Sequence, residues 1–304
     1  MKYSYYTADV FSDRPFGGNP LAVFPRADGL TAELMQKIAR EFNFSETVFV
    51  FPPETADGTR RARIFTPTTE LPFAGHPTVG TAFVLVAIGE IPLENETRIY
   101  LEEGVGLVPV TIRGSAGKPV YSELTAAKLP EFGAGTPSIE DLAGVLSLDA
   151  SDFLTGEYRP RSISCGVPFL FVPVRDRAVL SKIKLNLTVW EAVLARDPAN
   201  SLFVFCLDPE LPGSDIRARM FAPRLGVAED PATGSAVAAF GGYLGAIEPL
   251  RDGTIERTIE QGFEMGRPSL LRVSIDKRDG EIVAIRVGGA SVLVCQGVME
   301  IPDP

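Results

Sequence analysis

The sequence predicts an α+β fold of two pseudo-symmetric lobes, each a mixed sheet wrapped around a central apolar helix, with a cleft between the lobes. Three observations predict it. The run Arg61-Ala62-Arg63-Ile64-Phe65-Thr66-Pro67 recurs as Arg217-Ala218-Arg219-Met220-Phe221-Ala222-Pro223. Each copy is followed by Pro-x-x-Gly-(Thr/Ser)-Ala, first as Pro77-Thr78-Val79-Gly80-Thr81-Ala82 and again as Pro231-Ala232-Thr233-Gly234-Ser235-Ala236. Upstream, Glu46-Thr47-Val48-Phe49-Val50-Phe51 aligns with Asn200-Ser201-Leu202-Phe203-Val204-Phe205. Three matches in the same order at nearly constant separation describe a duplicated unit. The 304 residues suit roughly two domains of about 150. The expected division is residues 1–122 and 123–290, with 291–304 a terminal strand segment open to returning to the first lobe.

In chain order, Tyr3 to Val10 alternates tyrosines with small residues, and Pro20 to Phe24 follows a Gly17-Gly18-Asn19 turn; both read as strands. Thr31 to Glu41 places Leu34, Ile38 and Phe42 on one stripe behind a capping threonine, the pattern of an amphipathic helix. Thr47–Phe51 and Arg61–Phe65 are strands, one nearly all apolar and one alternating. After a turn rich in Pro, Thr and Gly, Pro77 opens the apolar run to Ile88. Proline suits a first helical turn, where its missing N–H has no intrahelical partner in any case, so this run reads as a buried helix. Strands are expected near Arg98–Tyr100 and Gly106–Ile112, and Ala127 to Pro137 reads as a junction. The second half then repeats the order: strand Val167–Val174, helix Thr188–Ala195, strands Leu202–Leu207 and Ile216–Phe221, and a helix from about Pro231 to Leu244. Strands at Ser269–Ile275 and Val292–Glu300 complete the set.

Composition narrows the partners. A net charge of −10 is the wrong sign for nucleic acid or an anionic membrane surface. No apolar run approaches the ~20 residues that span a bilayer, and residues 1–10 lack a secretory pattern; the expectation is a cytoplasmic protein. Cys165, Cys206 and Cys295 are odd in number and far apart. They form no zinc or disulfide framework, and buried thiols are expected.

The loop-helix junctions carry the candidate chemistry. A helix N-terminus presents unpaired N–H groups and about half a positive charge, which attracts a carboxylate. Gly80 and Gly234, beside the hydroxyls of Thr81 and Ser235, fit either close approach of a ligand or simple helix packing. The copies differ where it matters: Gly75-His76 in one half stands where the other has Glu229-Asp230. His76, the only histidine, lies between glycine and proline, where proton transfer or hydrogen bonding is a better account than core packing. Glu46 opens an apolar strand, and its aligned counterpart Asn200 does not titrate. It is either a partly desolvated base or a solvated strand end.

At these residues the chain resembles the PhzF-like family, named for the isomerase of phenazine biosynthesis, with the fold of diaminopimelate epimerase. The resemblance runs nearly the whole length. It is carried by Asp9-Val10-Phe11, Gly18-Asn19-Pro20-Leu21-Ala22-Val23, Ser45-Glu46-Thr47, Gly75-His76-Pro77-Thr78 and Glu229-Asp230-Pro231-Ala232-Thr233-Gly234-Ser235-Ala236. Gln261-Gly262 and Met265-Gly266-Arg267-Pro268-Ser269 also fit. The resemblance implies a homodimer and a cofactor-free, metal-free isomerase acting on a small carboxylate metabolite such as trans-2,3-dihydro-3-hydroxyanthranilate. It assigns the proton to Glu46, assistance to His76 and Asp230, and substrate binding to Asn19, Gly75, Thr78, Gly234 and Ser235.

The related epimerases use two cysteines, one from each half. This chain has Gly75 and Asp230 in the corresponding loops, and none of its cysteines lies in either. A single carboxylate suits removal and return of a proton on one face. An amino-acid epimerase or racemase, and a non-catalytic metabolite-binding protein, are the competing expectations.

Overall fold

The computed structural model describes residues 1–301. The chain divides into two units, Met1–Thr125 with the segment from Gly288 onward, and Ala126–Val287. Each is a mixed sheet with few helices, so the fold class is α+β.

In the first unit β1 (Lys2–Val10) and β2 (Asn19–Phe24) form an antiparallel pair. Helix α1 (Ala32–Phe42) follows, and Thr31 Oγ1 accepts from Leu34 N at 3.3 Å as its cap. Strand β3 (Glu46–Phe51) lies parallel to β2 and antiparallel to β4 (Arg60–Phe65). The short β5 (Glu70–Leu71) folds back on β4 and leads to α2 (Gly75–Ala87). Strand β6 (Glu96–Glu103) runs parallel to β4, and β7 (Gly106–Ser115) and β8 (Lys118–Thr125) extend the sheet antiparallel. The apolar alternation of α1 seats Met35, Ile38 and Ala39 against Phe24, Phe49, Phe51 and Phe65. Helix α2 is apolar all round and buried from Gly75 to Val86, as a helix without a polar face must be.

The second unit opens with β9 (Glu131–Phe132), α3 (Ile139–Leu146), β10 (Arg161–Ser164) and β11 (Pro168–Pro173). Two short helices, α4 (Arg177–Lys182) and α5 (Leu187–Val193), precede β12 (Leu202–Cys206), β13 (Ile216–Ala222) and β14 (Val227–Asp230). Then come α6 (Gly234–Ile247), β15 (Gly253–Gln261), β16 (Ser269–Arg278) and β17 (Glu281–Gly289). The last strand, β18 (Ser291–Glu300), pairs antiparallel with β1.

The pairing of the second unit repeats that of the first. Strand β11 is parallel to β12, β12 antiparallel to β13, β13 parallel to β15, and β15 antiparallel to β16. The Arg-Ala-Arg strands are thus true equivalents, and their arginines do the same work. Arg63 makes a two-pronged ion pair with Glu70, both contacts 2.7 Å, and Arg219 does so with Glu229 at 2.8 and 2.7 Å. Each guanidinium also lies over the ring two residues on, Phe65 and Phe221.

The third sequence match is out of register by one. Thr47 faces Phe65 across β3 and β4, whereas Leu202 faces Phe221 across β12 and β13. The structural counterpart of Glu46 is therefore Ser201 and not Asn200. A one-residue slip sends every side chain to the other face. Phe49 and Phe51 accordingly pack toward α1, while Phe203 and Phe205 pack on Phe240 of α6, at 5.2 and 4.7 Å between ring centres.

Both apolar helices start later or earlier than their prolines suggest. Helix α2 begins at Gly75, so His76 and Pro77 lie in its first turn. Helix α6 begins at Gly234, because Thr233 keeps a non-helical backbone and its N–H is taken by Gln261 Oε1. The expected helix Thr188–Ala195 begins at Leu187, capped by Asn186. The expected junction Ala127–Pro137 contains β9.

Gly80 is settled by packing. A Cβ there would meet Val10 Cγ2 at 2.5 Å and Leu21 Cδ2 at 2.6 Å, and both neighbours are fully buried. Gly80→Val is expected to destabilise the protein by an amount toward the upper end of the about 1–3 kcal/mol that overpacking costs. Urea denaturation measures it, and an unchanged midpoint would show that α2 is free to shift.

Candidate active site

Of the sequence-predicted residues, Gly75, His76 and Thr78 lie in the first turn of α2, Gly234 and Ser235 in that of α6, and Asn19, Glu46 and Asp230 at strand ends. In the first unit, α1 ends at Asn43 in the left-handed conformation (φ 52°), which turns the chain into β3 with Glu46 as its first residue. Register against Leu21 of β2 fixes that position. The Glu46 side chain is 15% exposed and its Oε2 lies 3.3 Å from His76 Nε2. Of the two readings of Glu46, a desolvated carboxylate fits this placement and a solvated strand end does not.

His76 is buried in the first turn of α2, not in an open loop, and burial pushes its imidazole down to about 3. At neutral pH it is therefore an uncharged ring against Glu46. A ring held in that state is a weak base. The expectation that His76 is a poor core residue is corrected here: it is as buried as the core around it.

Gly75 is the buried first residue of α2. Thr78 is buried in the same turn, its Oγ1 2.8 Å from Ala74 O and 2.6 Å from Glu103 Oε1. Its hydroxyl is thus engaged within the protein. Asn19 is fully buried at the start of β2, opposite Val10. Gly18 sets it there: it has φ +61°, and a Cβ would fall 2.3 Å from Val10 O, so only glycine makes this turn.

The second unit builds the corresponding turn with different chemistry. Asp230 is buried at the end of β14, and its Oδ2 accepts from Thr233 Oγ1. Gln261 braces the turn: Nε2 donates to Asp230 O at 2.7 Å and to Thr233 Oγ1 at 3.0 Å, and Oε1 accepts from Thr233 N at 3.1 Å. Gly234 is buried, whereas Ser235 is partly exposed in the first turn of α6. Glu229, which the sequence sets opposite Gly75, is spent on Arg219.

Sequence reasoning missed Glu103. Only its position next to Glu102, the counterpart of Glu260 in the repeated register, marks it. Of the cysteines, Cys206 is buried, Cys165 half-buried and Cys295 exposed, which corrects the expectation of three buried thiols. Burial raises Cys165 to about 12 and Cys206 to about 11, values that leave both as inert thiols. Among the described residues no helix is long and apolar enough to cross a membrane, and no group of three or more His, Cys, Asp or Glu side chains gathers as metal ligands.

Comparison with known proteins identifies the family. The family of phenazine biosynthesis-like proteins matches residues 8–297. The chain belongs to that family. It is 38% identical over 302 residues to an uncharacterized isomerase of Mesorhizobium japonicum, covering 98% of this chain and 99% of the relative. It is 35% identical to the trans-2,3-dihydro-3-hydroxyanthranilate isomerase of Pseudomonas aeruginosa, covering 97% and 98%. The crystal structure of a PhzF-family phenazine biosynthesis protein from Bacillus anthracis superposes with a TM-score of 0.89 at 30% identity, over 99% of this chain and 100% of the other. As an enzyme of this family the protein is an isomerase.

Proposed function

We propose that the protein is a cofactor-independent isomerase that moves a proton within a small carboxylate substrate, using Glu46 as the single acid/base. The observation that carries this reading is the pairing of Glu46 with a neutral His76 at 3.3 Å, set against Ser201 at the structurally equivalent position. One proton carrier without an opposed partner fits removal and return on the same face of a conjugated system. Gly234 and Ser235, at the first turn of α6, are the proposed hold on the substrate carboxylate, because a helix N-terminus and a partly exposed serine suit an anion. Asp230 is the proposed anchor for a polar substituent, with Asn19, Gly75 and Thr78 shaping the surroundings. A cytoplasmic homodimer is the proposed setting.

The reaction named for the Pseudomonas aeruginosa relative gives the first substrate to try. Purified protein incubated with trans-2,3-dihydro-3-hydroxyanthranilate in deuterated water is expected to shift the substrate absorbance as the conjugation moves. Solvent deuterium should appear at a ring carbon. A folded protein that neither turns the compound over nor exchanges its C–H protons overturns this substrate. Loss of optical purity on an amino acid would favour epimerisation instead.

A further inference from the structure

In each unit the strand lying parallel to the Arg-Ala-Arg strand has as its penultimate residue a glutamate that ties down a turn. Glu102 accepts from Glu54 N and Thr55 N, both at 2.7 Å, and Glu260 accepts from Glu210 N at 2.8 Å and Leu211 N at 2.6 Å. Register makes them equivalents, since Arg61 faces Glu102 and Arg217 faces Glu260. The next residue along a strand points to the opposite face, and here that face carries the first turn of the apolar helix. In the second unit this residue is Gln261, which uses both a donor and an acceptor on the turn of Asp230. In the first unit it is Glu103, which contacts the turn of His76 through Thr78.

Proton counting bears on the state of Glu103. The Thr78 hydroxyl has one hydrogen and two neighbours, Ala74 O at 2.8 Å and Glu103 Oε1 at 2.6 Å. A backbone carbonyl only accepts, so both short contacts carry a hydrogen only when Glu103 supplies one of its own and Thr78 gives its hydrogen to Ala74 O. We infer that Glu103 is held as a neutral carboxylic acid, a positioning residue that does for the turn of His76 what the Gln261 amide does for the turn of Asp230, and that its ionisation ends activity at alkaline pH. This inference rests on the proposed function for its catalytic consequence alone.

Burial agrees with the hydrogen count. Glu103 is 8% exposed, its Oε2 is buried without a hydrogen-bond partner, and desolvation raises the carboxyl from 4.5 to about 8. An anion there would leave one oxygen unsolvated. Charged groups from β4, β5, the turn before β4 and β6 itself line the same cavity of about 720 Å³: Arg61, Arg63, Glu54, Asp57, Glu70 and Glu102. The two arginines are committed to Glu54 and Glu70. From α2 the nearby titratable group is His76, uncharged at neutral pH. Loss of the Glu103 proton turns the Thr78 hydroxyl away from Ala74 O and loosens the turn that seats His76.

A carboxyl whose folded value lies above its unfolded one contributes its stability in full below about 4.5 and loses it as the pH rises through about 8. The test compares urea denaturation of the wild type and Glu103→Gln from about pH 5 to about pH 8.5. The folding equilibrium is expected to shift toward the variant by roughly 10³-fold across that range. A ratio that does not change with pH overturns the neutral acid. The arm uses no substrate, so it decides the protonation of Glu103 whatever becomes of the proposed reaction. For the positioning role, turnover of the wild type should fall above about pH 8. Glu103→Leu should be impaired at every pH, and Glu103→Gln should restore turnover without the alkaline fall. A Gln variant whose pH profile superimposes on the wild type overturns the role.

Discussion

Glu46→Gln is expected to lower turnover by about 10²–10⁴-fold, the range typical of a positioned acid/base, with the fold unchanged. Glutamine has the shape of glutamate and keeps a polar atom toward His76, whose Nε2 lies 3.3 Å from the native carboxylate. What it lacks is a site that accepts a proton from carbon. His76 is no substitute, since an imidazole held down to about 3 is too weak a base to take over. Ser201, in the equivalent place of the second unit, carries no charge. The measurement is kcat/KM on a substrate that the wild type turns over, beside urea denaturation of both proteins. Wild-type kcat/KM in a variant of unchanged stability would remove Glu46 as the proton carrier and send the search to Asp230, the remaining buried carboxylate of the two turns.

The contrast between Glu46 and Glu103 shows what a sequence reveals and what it hides. Glu46 stood out because a charge leads an apolar strand, a local pattern. His76 stood out as the single histidine, yet its burial depended on α2 beginning at Gly75, two residues before the proline that marks the run. Glu103 and Gln261 act through the parallel pairings of β4 with β6 and β13 with β15, and no local pattern announces a parallel partner forty residues away. Strand β15 is hidden for a different reason: its Glu256-Arg257-Thr258 stretch carries no apolar alternation, and only antiparallel pairing with β16 makes it a strand. The duplicated arginines were legible because each copy meets the same chemical demand: an acid on the next strand and an aromatic ring beneath. The phenylalanine match was misleading for the opposite reason. A sheet with apolar groups on both faces tolerates a one-residue offset in which residues are large, so Phe-Val-Phe recurs in sequence while its rings face different helices.

The duplicated arginine at the start of the motif gives the second large effect, because the same residue is buried in one unit and half-exposed in the other. Arg217 is 5% exposed and bridges Glu260, itself fully buried, at 3.0 Å and Glu264 at 3.0 Å, with its guanidinium 3.8 Å above the Phe263 ring. Arg217→Met leaves Glu260 charged and uncompensated apart from the N–H groups of Glu210 and Leu211. Breaking a buried pair from one side costs about 3–5 kcal/mol, much of it the penalty of the stranded charge. Arg61 holds the equivalent position but is 32% exposed, and its partner Glu54 is 66% exposed. Arg61→Met should therefore cost less than about 1 kcal/mol, as solvent-screened pairs do. Urea denaturation of the two variants separates them, and equal losses would mean that burial is not what distinguishes the copies. Arg217→Met combined with Glu260→Gln removes the stranded charge and is expected to recover part of the loss. If the double variant is no more stable than the single one, the damage lies in lost packing on Phe263, because only a charge penalty is relieved by neutralising the partner.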